Sequence, residues 1–305
     1  MSELRIFNQN HLPEFQFRMS MKIIAATSAK KATHLTHYTN LQGLKGIITG
    51  RSLWLSHASF LNDPAELKHG LRQARQVLRY LLDESDRDPS LPVATERRKI
   101  LLERLIAEVP QIKDPNAYVT CLCEEDDLLS QWRGYTPGEG VSISFEIDAL
   151  RRVFGTRGAE LHQVQYGISK PTRGILSELK KQLPDIVGDL ESFIGERSDD
   201  TLSEEFRKLV QKLTPRFKVR GFQEEREWRI VVMDPERSLV EFRPRGPIML
   251  PYTSLEASEP LLPISHITIS PGVNDDAVAA SLRLFLDHHE YKKCTVRKSS
   301  TPYRK

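Results

Sequence analysis

The order of its segments predicts an α+β fold around a split or mixed sheet. Seven or eight short apolar runs have strand character, helices interrupt them without a regular strand–helix–strand alternation, and no glycine-rich phosphate loop joins a strand to a helix. A Rossmann dinucleotide site and a P-loop NTPase are thereby unsupported. The 305 residues are 39% hydrophobic with 16 glycines, close to the usual globular share, so a core can be buried and wholesale disorder is excluded.

Residues 1–33 show no period and read as an arm, and 34–305 reads as a single domain. THLTHYT is a strand, Asn40 the N-cap of the short helix LQGLKGII, and Gly50 its stop before the strand SLWLS. After the loop SFLNDP, Asp63 caps a helix begun by Pro64, with Leu67, Leu71, Ala74, Leu78 and Leu81 at helical spacing. ERRKILLERLIAEV is a second helix. AYVTCLC is a buried strand, and DDLLSQWRGY a helix capped by Asp126 or Asp127. TPGEG turns into VSISFEI, whose Val141, Ile143, Phe145 and Ile147 alternate with polar residues. HQVQY is a further strand. Residues 172–214 read as a helical insertion, its second helix marked by Leu202, Phe206, Leu209 and Leu213. REWRIVVM, LVEFR and HITIS are the late strands, and AVAASLRLFLDHH closes the fold as a helix.

Composition narrows the function. Lys and Arg number 44 against 41 Asp and Glu, a net charge of +3 that permits nucleic acid as a partner without arguing for it. Mean hydropathy is −0.42 and no apolar run approaches a membrane span. The first residues lack the apolar stretch of a secretory signal, so a cytoplasmic protein without membrane contact is expected. Three cysteines do not make a disulfide framework. Cys121-Leu-Cys123 lacks a second zinc half-site, so buried thiols are expected and no metal.

Four polar, aromatic islands flank predicted strands: His37-Tyr38-Thr39, Asn62-Asp63-Pro64-Ala65-Glu66, Ser130 to Tyr135, and Glu224 to Arg229. Each has a plain structural reading: a hydrogen-bonded histidine, a helix cap, core aromatics, a solvated strand edge. Together they suit a stacked, ribose-bearing ligand. Glu225 and Glu227, two apart on a strand, would share a face toward one pocket, and Glu227 heads WRIVV where the strand leaves the polar turn.

From about His34 to Arg304 the chain resembles a widespread bacterial family catalogued as a domain of unknown function, through HYTNLQGLKGIITGRSLWLSHASFLNDPAE, LLSQWRGYTPGEGVSISF, FKVRGFQEEREWR and SSTPYR. More distantly it resembles the ADP-ribosyltransferase superfamily of the His–Tyr–Glu type. HYTNLQGLKGIITGRSLWLS is similar to that family's opening strand, helix and strand, with Tyr38 in place of its glycine, and Glu227-Trp-Arg-Ile-Val-Val is similar to its catalytic strand. The middle tyrosine has no firm equivalent, Tyr118 aside. This resemblance implies an ADP-ribosyltransferase-like fold with the helical insertion, consuming NAD to modify a protein or nucleic acid.

By the same resemblance His37 binds the NAD ribose, with Tyr38 and Thr39 beside it. Ser130 holds the carboxamide and Trp132 or Tyr135 stacks on nicotinamide. Glu227 polarises the ribose, while Glu225 selects or activates the acceptor. Outside that superfamily's plan, Asn62, Glu66 and Arg229 are candidate acceptor contacts. The bacterial setting implies a toxin or phage-defence effector, with a neutralising partner protein as a possible companion. Two rivals stand beside this reading: a catalytically idle nucleotide- or nucleic-acid-binding module of the same fold, and a metal-dependent nuclease using Asp63, Glu66, Glu225 and Glu227.

Overall fold

Strand β1, His34–Thr39, is covered on both faces, with Leu35, Thr36 and Tyr38 all buried. It lies inside a ten-stranded mixed sheet in a computed structural model that describes residues 32–61, 65–85, 92–136, 139–155, 158–166, 202–271 and 276–302. Ala32–Lys305 forms one unit. The remaining strands are β2 (Ser52–His57), β3 (Ala117–Cys123), β4 (Val141–Glu146), β5 (Glu160–Gln163), β6 (Gln165–Tyr166), β7 (Phe217–Lys218), β8 (Glu227–Met233), β9 (Val240–Arg245), β10 (Ile248–Glu256), β11 (Ile264–Ile269) and β12 (Thr295–Lys298). The main path runs β12-β11-β4-β1-β3-β2-β10-β9, with β8 between β3 and β5. All its pairings are antiparallel except β11 with β12, and β6 and β7 make a small parallel pair. The class is α+β, as expected.

The sheet forks at β3. One edge of β3 pairs along its full length with β8, from Ala117↔Met233 to Cys123↔Glu227. The other edge is shared: β1 joins at Thr36↔Cys123, and β2 at Ser56↔Val119 and His57↔Tyr118. Cys121 falls in the gap between the two strands. His37 fills it, its Nδ1–H donating to the Cys121 carbonyl at 3.0 Å, so the carbonyl freed by the fork is not left unpaired.

Alternation gives the two faces different chemistry. One face carries Leu35, Leu53, Leu55, Leu122, Ile143 and Ile230, and packs on helices α1 (Leu41–Gly50), α5 (Ile147–Gly155) and α7 (Asp276–His288). The other carries Thr36, Cys121, Cys123, Ser144, Glu227 and Arg229 by register. Above that polar face lie α2 (Glu66–Ser85) and α4 (Leu129–Tyr135). Helices α2, α3 (Pro92–Glu108) and α6 (Leu202–Leu213) share a second core around Leu78, Leu102 and Phe206. Gly70 permits the close approach there, because a Cβ would stand 2.4 Å from the Thr214 carbonyl oxygen.

Several local expectations are corrected. Asn40 does cap α1, accepting from the Gly43 N–H at 2.8 Å, but the helix runs through Gly50 and the left-handed residue is Arg51, φ 48°. Helix α4 is not capped by Asp126 or Asp127. It begins after Leu128 without a side-chain cap, since Asp127 is engaged elsewhere. HQVQY breaks at Val164 into β5 and β6, and Ile147 starts α5 rather than ending β4. The twelve strands among the described residues exceed the seven or eight expected, because β10, β12 and two-residue β7 are too short or too interrupted to show a period. Asn62, the Asp63 cap, Pro64, residues 1–31 of the arm, residues 172–201 of the insertion and the end of SSTPYR lie outside the described residues. Among the described residues no helix is long and apolar enough to cross a membrane.

Candidate active site at the fork of the sheet

The chain enters β8 through a 3-10 segment, Arg220–Glu225, and a left-handed Arg226 with φ 39°. Glu225 and Glu227 therefore do not share a strand face, as alternation predicted; the turn at Arg226 separates them. Lys218 brings them together instead. Its ammonium donates to Glu225 Oε2 at 2.6 Å and to Glu227 Oε2 at 2.7 Å. Arg229, two residues into β8, donates from Nε to Glu227 Oε1 at 2.7 Å and from Nη2 to Oε2 at 3.2 Å. Its Nη1 donates to the Pro215 carbonyl at 2.7 Å, and Nη2 also donates to Glu66 Oε1 at the start of α2.

Three carboxylates thus meet two cations, and four of the five side chains are at least nine-tenths buried. Burial disfavours the ionised form of Glu227, but Arg229 and Lys218 outweigh it and hold the carboxyl at about 2. At Glu66 burial dominates over the pull of Arg229 and the value is raised. Burial opposes the charge on Lys218 as well, and Glu227 more than restores it. Such a cluster is tolerable in a protein interior only because its charges find hydrogen-bonding partners.

Beside the cluster a pocket opens into the polar face, lined by His37, Tyr38, Cys121, Gln131, Tyr135, Glu225 and Glu227 among others. Four segments spread from β1 to β8 converge there. Its volume of about 40 Å³ holds a few waters and is smaller than the roughly 150 Å³ that admits a benzene ring. A cavity of that size admits a polar edge but not a whole aromatic ring. Burial lowers the His37 value, and Arg243 lowers it further against the Cys121 hydrogen bond. The imidazole is neutral at pH 7 with its proton on Nδ1, which leaves Nε2 as an acceptor. Glu225 Oε1 has no hydrogen-bond partner among the described residues, whereas both oxygens of Glu227 are taken.

The other expected site residues are distributed differently. Tyr135 stands at the rim, 37% exposed. Trp132 is sealed: its indole N–H donates to Asp127 at 2.8 Å and its ring meets Tyr38 edge-on at 4.7 Å. The Tyr38 hydroxyl donates to the Glu125 carbonyl and accepts from the Leu128 N–H. Ser130 is not among the lining residues, and its Oγ is buried without a partner among the described residues; Gln131 beside it faces the pocket. Thr39 ends β1 against Gly43. Glu66 and Arg229 are buried and paired with each other, outside the pocket lining.

Two residues escape sequence reasoning. Lys218 sits in a strand of two residues, and its only signal is a lone lysine in FKVRGF. Asp127 anchors the closing SSTPYR motif, accepting from Ser299 Oγ at 2.5 Å, from the Ser300 N–H at 2.8 Å and from the Thr301 N–H at 3.2 Å. No group of three or more His, Cys, Asp or Glu among the described residues is arranged to hold a metal ion. A cation beside Glu66, Glu225 and Glu227 would meet Lys218 and Arg229 already in place. Of the three thiols, Cys123 and Cys294 are buried, as expected, and Cys121 is half-buried.

An α+β protein with a polar pocket at a forked sheet is the class that fold and site define. Residues 131–230, which span Gln131, Tyr135, Lys218 and the whole Glu225–Arg229 run, match the model of a family described as a protein of unknown function (DUF2971). The expected likeness to a family of unknown function holds over this third of the chain. No curated protein and no solved structure gave a significant match.

Proposed function

We propose that this protein is an ADP-ribosyltransferase-like enzyme that cleaves NAD at the nicotinamide–ribose bond and passes ADP-ribose to a macromolecule. The observation that carries the reading is the convergence of His37, Tyr135 and the pair Glu225 and Glu227 on one pocket from three separate segments. His37 Nε2 accepts a ribose hydroxyl, and the Tyr135 ring offers a stacking face at the rim. The C–N bond breaks with its electron pair leaving on nicotinamide, and positive charge develops on the ribose. Glu225, with one oxygen uncommitted, is the carboxylate best suited to that cation; Glu227 anchors Lys218, which positions Glu225. The acceptor then forms its bond to the ribose carbon, and Glu225 takes its proton.

Incubation of the protein with NAD and a cell lysate tests this. Nicotinamide is released and label from the adenine side appears on a macromolecule. Glu225→Gln cuts release by at least about 10²-fold while the protein stays folded at the assay temperature, because the lost interaction belongs to the transition state. No release from the wild type, or full activity in Glu225→Gln, overturns the respective assignment. A toxin or defence role follows only if such transfer harms the host cell on expression.

A further inference from the structure

Trp54 is anomalous among the three tryptophans. Trp132 and Trp228 each donate an indole N–H to a carboxylate, at 2.8 and 2.9 Å. The Trp54 indole has no such partner among the described residues, and the side chain is 43% exposed. Yet it is held firmly. Its ring lies 4.6 Å from the buried Tyr252 ring, and the Arg243 guanidinium stands 5.3 Å from Trp54 and 5.8 Å from Tyr252. Arg243 donates from Nη2 to Ser56 Oγ at 3.1 Å, while its Nε is buried without a partner among the described residues. Among the described residues no carboxylate pairs with it, and alternation puts Arg245 on the same face.

The register places this assembly beside the pocket. Ser56 pairs with Val119, so extending the β2 ladder by two residues would set Trp54 opposite Cys121, the residue that His37 reaches. Trp54, Ser56 and Tyr252 share the sheet face of Cys121, Cys123 and Glu227. Val119 and Cys121 are two residues apart, about 7 Å along β3. The positive field of Arg243 reaches His37 itself.

We infer that Trp54, Tyr252 and Arg243 form a subsite for a nucleoside diphosphate, with the base stacked on Trp54 and a phosphate on Arg243. A rigid, backed aromatic ring next to an unneutralised guanidinium suits that chemistry, since the ring is sequence-blind toward bases and the fork of donors matches phosphate oxygens. The small pocket takes the ribose edge and the platform across the fork takes the rest of the ligand. This deepens the NAD reading and rests on it for the identity of the ligand.

Titration of the full chain with ADP-ribose, which lacks nicotinamide, separates the two ideas. Binding is measured by calorimetry and by quenching of tryptophan emission. Wild type binds; Trp54→Ala and Arg243→Gln each weaken binding at least about tenfold, Trp54→Phe retains binding and loses the quench, and all keep the wild-type melting temperature. ADP-ribose binding through Trp54 without nicotinamide release from NAD keeps the subsite and sinks the transferase. Nicotinamide release with ADP-ribose binding indifferent to both substitutions does the reverse. Absence of ADP-ribose binding, or binding of a single-stranded oligonucleotide alone, overturns the subsite. Should Trp54→Ala unfold, Trp54→Phe and Arg243→Gln decide.

Discussion

Glu66 at the first turn of α2 and Arg229 in β8, 163 positions apart, form a buried ion pair that fastens the helical layer to the sheet. Removing one member of such a pair leaves the other charge desolvated. Glu66→Ala should cost about 3–5 kcal/mol, roughly 10 °C of melting temperature in a domain of this size. A loss below about 1 kcal/mol by denaturant titration would show that the pair is solvated in solution.

Acid should act through Glu227. Its native carboxyl sits at about 2 against an ordinary value of 4.5, so the stabilisation is complete above the unfolded value and is lost as pH falls through the native one. Stability should therefore drop between about pH 4.5 and 2, and this slope should be shallower in Glu227→Gln. Identical pH profiles for the two proteins contradict the assignment.

Histidine acts in the same direction at milder pH. Burial lowers the native values of His37, His57 and His266, so the unfolded chain takes up protons first. Stability should already decline as pH falls below the ordinary histidine range, and His37→Asn should remove part of that decline. NMR titration of the imidazole protons checks each site directly; a His37 titrating above its ordinary value would be incompatible with this.

Asp127 holds the segment Ser299–Thr301 and the Trp132 indole at once. Asp127→Ala should cost about 2–3 kcal/mol, red-shift tryptophan emission and raise hydrogen exchange at residues 299–301 before the sheet is affected. Unchanged exchange there would mean that the segment is held by other contacts.

The thiols should be inert in the native state. Burial raises Cys121 well above its usual value, Cys123 to about 12 and Cys294 to about 11. Alkylation at pH 8 should be slow until the protein unfolds. Rapid modification of Cys121 in the folded protein would reveal an open route from the pocket.

What the sequence makes legible is local. The alternation of β4, the stripe of α2 and the entry of β8 at Glu227 depend on near neighbours and were readable as periods. The site is only half legible on the same ground. His37, Tyr135 and Glu225 stand out by type, but Asp127 looks like a helix cap because its true partners lie more than 170 positions away. Lys218 has no period to betray it, and the helix stop passes from Gly50 to Arg51 because the tertiary setting, not glycine propensity, fixes the left-handed residue.

The guanidinium of Arg229 also constrains the order in which the protein is made. The sheet and the helical layer each have a core of their own, and the chain between Glu66 and Arg229 must close a loop whose entropy is about 4–5 kcal/mol. A ribosome must have delivered β8 before the junction and the pocket can form. A chain truncated before β8 lacks both the junction and the site, so whatever activity resides there is withheld until most of the protein has been synthesised.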